Sequence, residues 1–244
     1  MTTEMLQQVF RLNNEGAALV CSLDLSNTKA AIKHFDLALS IATSCPSSKS
    51  TPDAIETDFD ERTREVGIWD LCLYSNVPDQ HGDDAFYFFD QAVFLRPDIF
   101  VRRMGGSVVK TMTFMAAIVT VNTALAQASL TQREFREANR FFCRALHLYA
   151  HVVAMLAEHS SLTNQNSKVV LFFVLVAQNN YSLLCLKLGL LSTCRMVQAD
   201  VYPLLENGAM LLPFDSIPFV DEIYLNTAIL ASSNTFMTLP AAAA

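Results

Sequence analysis

Two stretches of the chain repeat one spacing of small and aromatic residues, Ala31-x3-Phe35-x2-Ala38 and Ala138-x3-Phe142-x2-Ala145, and each continues with leucine, Leu39 and Leu146. Residues three and four apart share one face of a helix, so each stretch presents two alanines and a phenylalanine to the same neighbour. Small residues let an adjacent helix come close, and the ring fills the space beside them. The pattern therefore calls for helices stacked closely on helices. Only 7 Gly and 8 Pro in 244 residues leave room for long helices and few loops.

The rest of the chain sorts around those stretches. Residues 4–23 carry apolar side chains at helical spacing, and Ser26 or Asn27 is suited to cap a second helix that holds Ile32, Phe35, Leu37, Leu39 and Ile41. Residues 1–43 thus read as a first helical hairpin. Composition changes at Ser44: residues 44–66 combine Ser, Thr and Pro with Asp53, Glu56, Asp58, Asp60, Glu61 and Glu65, and are expected to form a mobile acidic insert. Residues 67–77 and 85–95 are rich in aromatic and β-favouring side chains and flank the turn cluster 78–84, which predicts a β-hairpin within an insertion over 67–107.

Residues 108–211 read as a second and third helical hairpin. Thr131 and Glu134 form a capping box at the start of the second helix of the second hairpin. Residues 212–244 are expected to hold a strand over 219–230 and a tail, so that the small sheet has two or three strands. All of this fits one merged domain.

The first helix of each hairpin also carries a recurring signal, an Asn followed two residues later by a small residue: Asn14 and Gly16, Asn122 and Ala124, Asn180 and Ser182. Together with the Ala/Phe/Ala spacing, these residues resemble the tetratricopeptide repeat (TPR), whose first helix favours Asn-x-Gly and whose second favours Ala-x3-Phe/Tyr-x2-Ala. The stretches 12–19 and 30–39 are similar to TPR-like proteins abundant in diatoms. The resemblance covers about residues 5–43 and 108–211. It implies a mainly α fold of antiparallel helical hairpins, a fragment of an α-solenoid, with the small β element appended. The third hairpin departs from the pattern, with Val197, Val201 and Leu204 in place of the Ala/Phe/Ala set. In TPR domains that bind chaperone tails, Asn at this position helps to hold a peptide carboxylate beside basic residues. Here Val176 stands four residues before Asn180, where such a partner would lie.

Charge narrows the function classes. A net charge of −7 disfavours nucleic acid phosphates and anionic membrane surfaces as partners. The longest uninterrupted apolar run, 169–177, has nine residues, against ~20 for a membrane-spanning helix, so no integral membrane segment is expected. The six cysteines form no C-x-x-C pair, and most sit among apolar neighbours and read as small core residues of an intracellular, cytoplasmic protein. Against this acidic background Arg133, Arg136, Arg140 and Arg144 form one basic stripe, continued by His147 and His151. It is either a solvated helix face or a dock for an acidic peptide, a phosphate or the chain's own acidic insert.

Cys143, His147 and His151 along one helix do not converge on a point as zinc requires, and His81, Asp83 and Asp84 read as a polar turn. Ser50, Thr51 and Thr57 are possible phosphorylation sites by sequence alone. No nucleophile, phosphate-binding or dinucleotide signature occurs, so no catalytic residue, cofactor or metal is expected. The expectation is a non-enzymatic interaction or scaffold module for a protein or peptide, acidic if it uses the stripe. Asn14, Asn122, Asn180, Arg136, Arg140 and Arg144 are its candidate contact residues. The alternatives are a ligand-binding or enzymatic domain with a pocket between the hairpins and the β element, and peripheral membrane attachment through exposed Phe-rich segments at 86–94 and 169–176. A mean hydropathy of +0.28 demands either an unusually large core or covered apolar surface.

Overall fold

A computed structural model describes residues 2–22, 24–44, 72–74, 92–95, 108–131, 137–158, 167–211 and 223–229. The chain is mainly helical. Its long helices are α1 (Thr2–Cys21), α2 (Leu25–Thr43), α3 (Val108–Thr131), α4 (Ala138–Glu158), α5 (Ser167–Lys187) and α6 (Leu191–Leu211), with strands β1 (Cys72–Tyr74) and β2 (Val93–Leu95) between α2 and α3. A short helix, α7, spans 223–229.

Each long helix packs on the next in chain order, α1 on α2 through to α5 on α6, and α1 also touches α3. The turns between α1 and α2 and between α5 and α6 are short, and each has an identifiable cause. At the start of α2 an Asp24 side-chain oxygen accepts from Ser26 N at 2.7 Å and from Asn27 N at 3.3 Å. The cap is thus Asp24 rather than Ser26 or Asn27, because a carboxylate satisfies free amides and also complements the helix dipole. After α5, Gly189 takes a φ of 71°. Its N–H donates to Leu186 O at 3.0 Å, and Leu190 N donates to Cys185 O at 2.8 Å. This left-handed C-terminal motif favours glycine because it has no Cβ to clash.

The first copy of the repeated spacing sits where close packing is expected, and the second does so only in part, with Ala138 half-buried. Ala31, Phe35 and Ala38 are all fully buried. A Cβ placed on Gly16 would stand 2.5 Å from Phe35 Cε1, so the glycine is what lets the ring lie against α1. In the second copy Ala145 is fully buried and Phe142 packs half-buried against the core. Beyond them α3 forms the centre: of residues 111–131 only Thr113 and Ser129 are half-exposed, the rest being buried. Its hydroxyls stay satisfied by bonding back along their own helix, Thr120 Oγ1 to Ala116 O at 2.7 Å and Thr123 Oγ1 to Val119 O at 2.7 Å. Phe114 on α3 meets Phe173 on α5 edge to face, with centroids 5.7 Å apart.

Several sequence expectations need correction. Thr131 is the last residue of α3, and its Oγ1 donates to Ala128 O at 2.6 Å; it does not cap α4, and Glu134 lies outside the described residues. Residues 223–229 are helical, not a strand, so there is no third strand there. Ile223, Asn226 and Thr227 are buried while Tyr224 and Leu225 are exposed, which is one face of a helix and not alternation. β1 and β2 pair antiparallel, Cys72 with Leu95, Leu73 with Phe94 and Tyr74 with Val93, and much of the chain joining them lies outside the described residues. So do the acidic insert beyond Ser44, with Ser50, Thr51 and Thr57, and the turn holding His81, Asp83 and Asp84.

Thr111–Thr131 is long and apolar enough to cross a membrane by length and composition, with polar residues interrupting its apolar runs, yet 89% of its most apolar stretch is buried inside the fold. Phe172 and Phe173 are fully buried as well. They are core, not the exposed face that membrane attachment through 169–176 needs.

Candidate functional site

The clearest constellation is built by asparagines. Asn13 and Asn14 lie in the middle of α1, and Asn122 lies in α3, which touches α1; Asn13 and Asn122 are wholly buried. Buried primary amides must find partners for a carbonyl oxygen and two N–H groups. These find the backbone of β2. Asn14 Oδ1 accepts from Leu95 N, and Asn14 Nδ2 donates to Leu95 O, both at 2.8 Å. Two residues earlier, Asn122 repeats the arrangement on Val93: Oδ1 accepts from Val93 N and Nδ2 donates to Val93 O, both at 2.8 Å.

Asn13 ties the two grips together. Its Nδ2 donates to Val93 O at 3.0 Å and to Asn14 Oδ1 at 3.2 Å, and its Oδ1 accepts from Asn122 Nδ2 at 2.9 Å. The bonds also fix the amide orientations, since a flipped Asn122 would set its NH2 against the Val93 N–H. Each amide thus does for β2 what a neighbouring strand would do, accepting from and donating to one residue. Backbone groups of alternate residues point to the same edge of a strand, so Val93 and Leu95 face the asparagines while Phe94 faces β1. Val93 and Leu95 are buried and Phe94 is half-buried.

The structure therefore brings Asn14 and Asn122 together on one strand and adds Asn13. Asn180 serves elsewhere. Its Nδ2 donates to Tyr149 Oη on α4 at 2.9 Å, and its Oδ1 accepts from Asn179 Nδ2 at 3.2 Å. Asn179 Oδ1 accepts in turn from Asn226 Nδ2 on α7 at 2.8 Å. The adjacent pair Asn179 and Asn180 has the same internal bond as Asn13 and Asn14, and among the described residues it holds side chains of α4 and α7. In the same layer Ser182 accepts a bond from Gln198 of α6. Asn13 and the doubled Asn-Asn were the signal that reading one Asn per repeat overlooked.

The arginine stripe is only partly described. Arg136, like Arg133, lies outside the described residues. Arg140 is exposed and pairs with Glu137 on its own helix at 3.0 Å. Arg144 is exposed near Asp36 of α2; burial raises the Asp36 carboxyl above its ordinary pKa, and the Arg144 charge opposes that rise. His147 and His151 are exposed on the same helix.

Among the described residues no three His, Cys, Asp or Glu side chains gather as metal ligands. Cys143 is exposed and Cys21 half-buried, while Cys185 and Cys194 are buried. Burial first, and the neighbouring Cys194 second, push the Cys185 thiol up to about 11. Burial raises Cys194 too, with Arg195 opposing. Neither is a thiolate at neutral pH, so neither is primed as a nucleophile. No family model, no curated protein and no solved structure matches the chain.

Proposed function

We propose that the chain is a non-enzymatic interaction or scaffold module of TPR-like helical hairpins, with the β element appended, that works by holding an extended protein segment. The observation that carries this reading is the paired grip of Asn14 and Asn122, from two first helices of the proposed hairpins, on the N–H and C=O of Leu95 and Val93. Such a grip recognises peptide backbone, the chemistry of strand addition, and offers no group that would activate a bond. Packing of each helix on its chain neighbour, with α1 also on α3, supports the hairpin reading. So does the contact of Gly16 with Phe35. Cys21, Cys143, Cys185 and Cys194 are free thiols, which fits a reducing, cytoplasmic setting.

Affinity purification of the full chain from cells tests this reading. The same protein partner is expected in replicate purifications. A co-purifying metabolite with no reproducible protein would contradict it and favour a ligand-binding domain.

A further inference from the structure

The asparagine grip is addressed wholly to backbone atoms. Val93 and Leu95 each offer it one N–H and one C=O, and no side chain of β2 takes part. What the side chains of β2 supply is burial, complete at Val93 and nearly so at Leu95, with Phe94 half-covered between them. The site thus specifies an extended segment with aliphatic residues at two positions separated by one. It does not specify that the segment come from this chain.

We infer that β2 is an internal occupant of a groove that also accepts an equivalent aliphatic-x-aliphatic segment of a partner protein, so that binding proceeds by exchanging one strand for the other. The inference rests on the interaction-module reading and adds its regulation. The described ladder to β1 covers three residues on each strand, so on the far edge of β2 the asparagines are its main polar hold. The twelve residues 96–107 separate β2 from α3, and a stretch of that length reaches up to ~40 Å when extended. A tether of that length does not by itself hold the strand to α3. A tethered occupant competes at an effective concentration of roughly millimolar. The unaltered chain should accordingly bind an outside segment weakly, and a chain with a weakened strand should bind it well.

The test uses the full chain and a labelled synthetic peptide of residues 91–96, read by fluorescence anisotropy. Val93→Pro and Leu95→Pro each remove one N–H that an asparagine holds. The peptide should bind these variants at least tenfold more tightly than the unaltered chain. Binding should be lost when Asn122→Ala is added to Leu95→Pro, and lost with a peptide N-methylated at its valine, which has no proton for Asn122 Oδ1. Equal binding to the unaltered chain and to variants of unchanged helical circular dichroism would overturn the proposal, as would equal binding of the methylated peptide.

Should both substitutions unfold the helices, amide exchange on the unaltered chain decides. Peptide at about millimolar concentration should speed exchange at residues 93 and 95 and leave α1 and α3 protected; no such change overturns the proposal. Strand exchange without any cellular partner would sink the interaction-module reading alone. Reproducible partners without exchange would sink only the inference.

Discussion

An asparagine side chain carries an acceptor and two donors on one rigid plane, the polar pattern that one residue of a neighbouring strand presents. That is why Asn122 suits Val93, and why few substitutions should be tolerated there. Asn122→Ala leaves the buried Val93 N–H without its acceptor while Val93 O keeps Asn13. The expected loss is about 1–3 kcal/mol, measurable as a lower urea midpoint. Asn122→Asp keeps the size but places an acceptor against Val93 O and Asn13 Oδ1. Burial and those oxygens should raise the new carboxyl above its unfolded value. A raised acid loses stability as pH rises through its folded pKa, so this variant should be clearly less stable at pH 7 than at pH 4 relative to the parent, by denaturant titration at both pH values. Asn14 and Asn122 were legible as recurring residues, and their target was not: which backbone fills a buried amide depends on a strand 81 and 29 residues away in sequence.

Helices were read correctly wherever their cause is local. α1, α2, α3, α5 and α6 lie within a few residues of the expected bounds; in α1 and α2 the apolar spacing records which face is buried, whereas α3 is long, weakly polar and buried nearly all round. Their ends were harder. α2 begins at Leu25, so Asp24 caps it while Ser26 and Asn27 lie inside the first turn and donate to that cap, and Thr131 bonds backward instead of starting α4. Residues 223–229 differ for another reason: Ile, Tyr and Leu in a row favour a strand locally, but the segment is helical and buries Ile223, Asn226 and Thr227 on one face, with Asn226 donating to Asn179. The fit between α1 and α2 gives a direct test. Gly16→Ala gains up to about 1 kcal/mol of helix propensity but drives its methyl into the wholly buried Phe35 ring. Overpacking of that kind costs about 1–3 kcal/mol, so the variant should have a lower melting temperature, and Phe35→Leu in the same chain should recover part of the loss.

Apolar content that would be excessive on a small globule is absorbed here by one central element. α3 is covered by α2 and α4 and touched by α1, so its threonines, Asn122 and Gln127 are buried along with its aliphatics. Burial on this scale also reaches the thiols. Cys185, fully buried on α5, stays protonated to about pH 11 against an ordinary 9.0. Its folded pKa is raised, so its contribution is complete below pH 9 and lost as pH rises through about 11. Stability should therefore fall by about 1–3 kcal/mol over that window, and Cys185→Ala should flatten the fall, as followed by chemical denaturation across alkaline pH.

The claim at the centre of the account is that asparagines of α1 and α3 hold β2 by its backbone. Residue-resolved amide hydrogen exchange by NMR tests it most directly. The account predicts slow exchange at Val93 and Leu95, with protection at Val93 lost in Asn122→Ala, protection at Leu95 lost in Asn14→Ala, and the amides of α1 and α3 unchanged in both. Exchange at Val93 and Leu95 as fast as in an unfolded peptide, or protection indifferent to both substitutions, would contradict it.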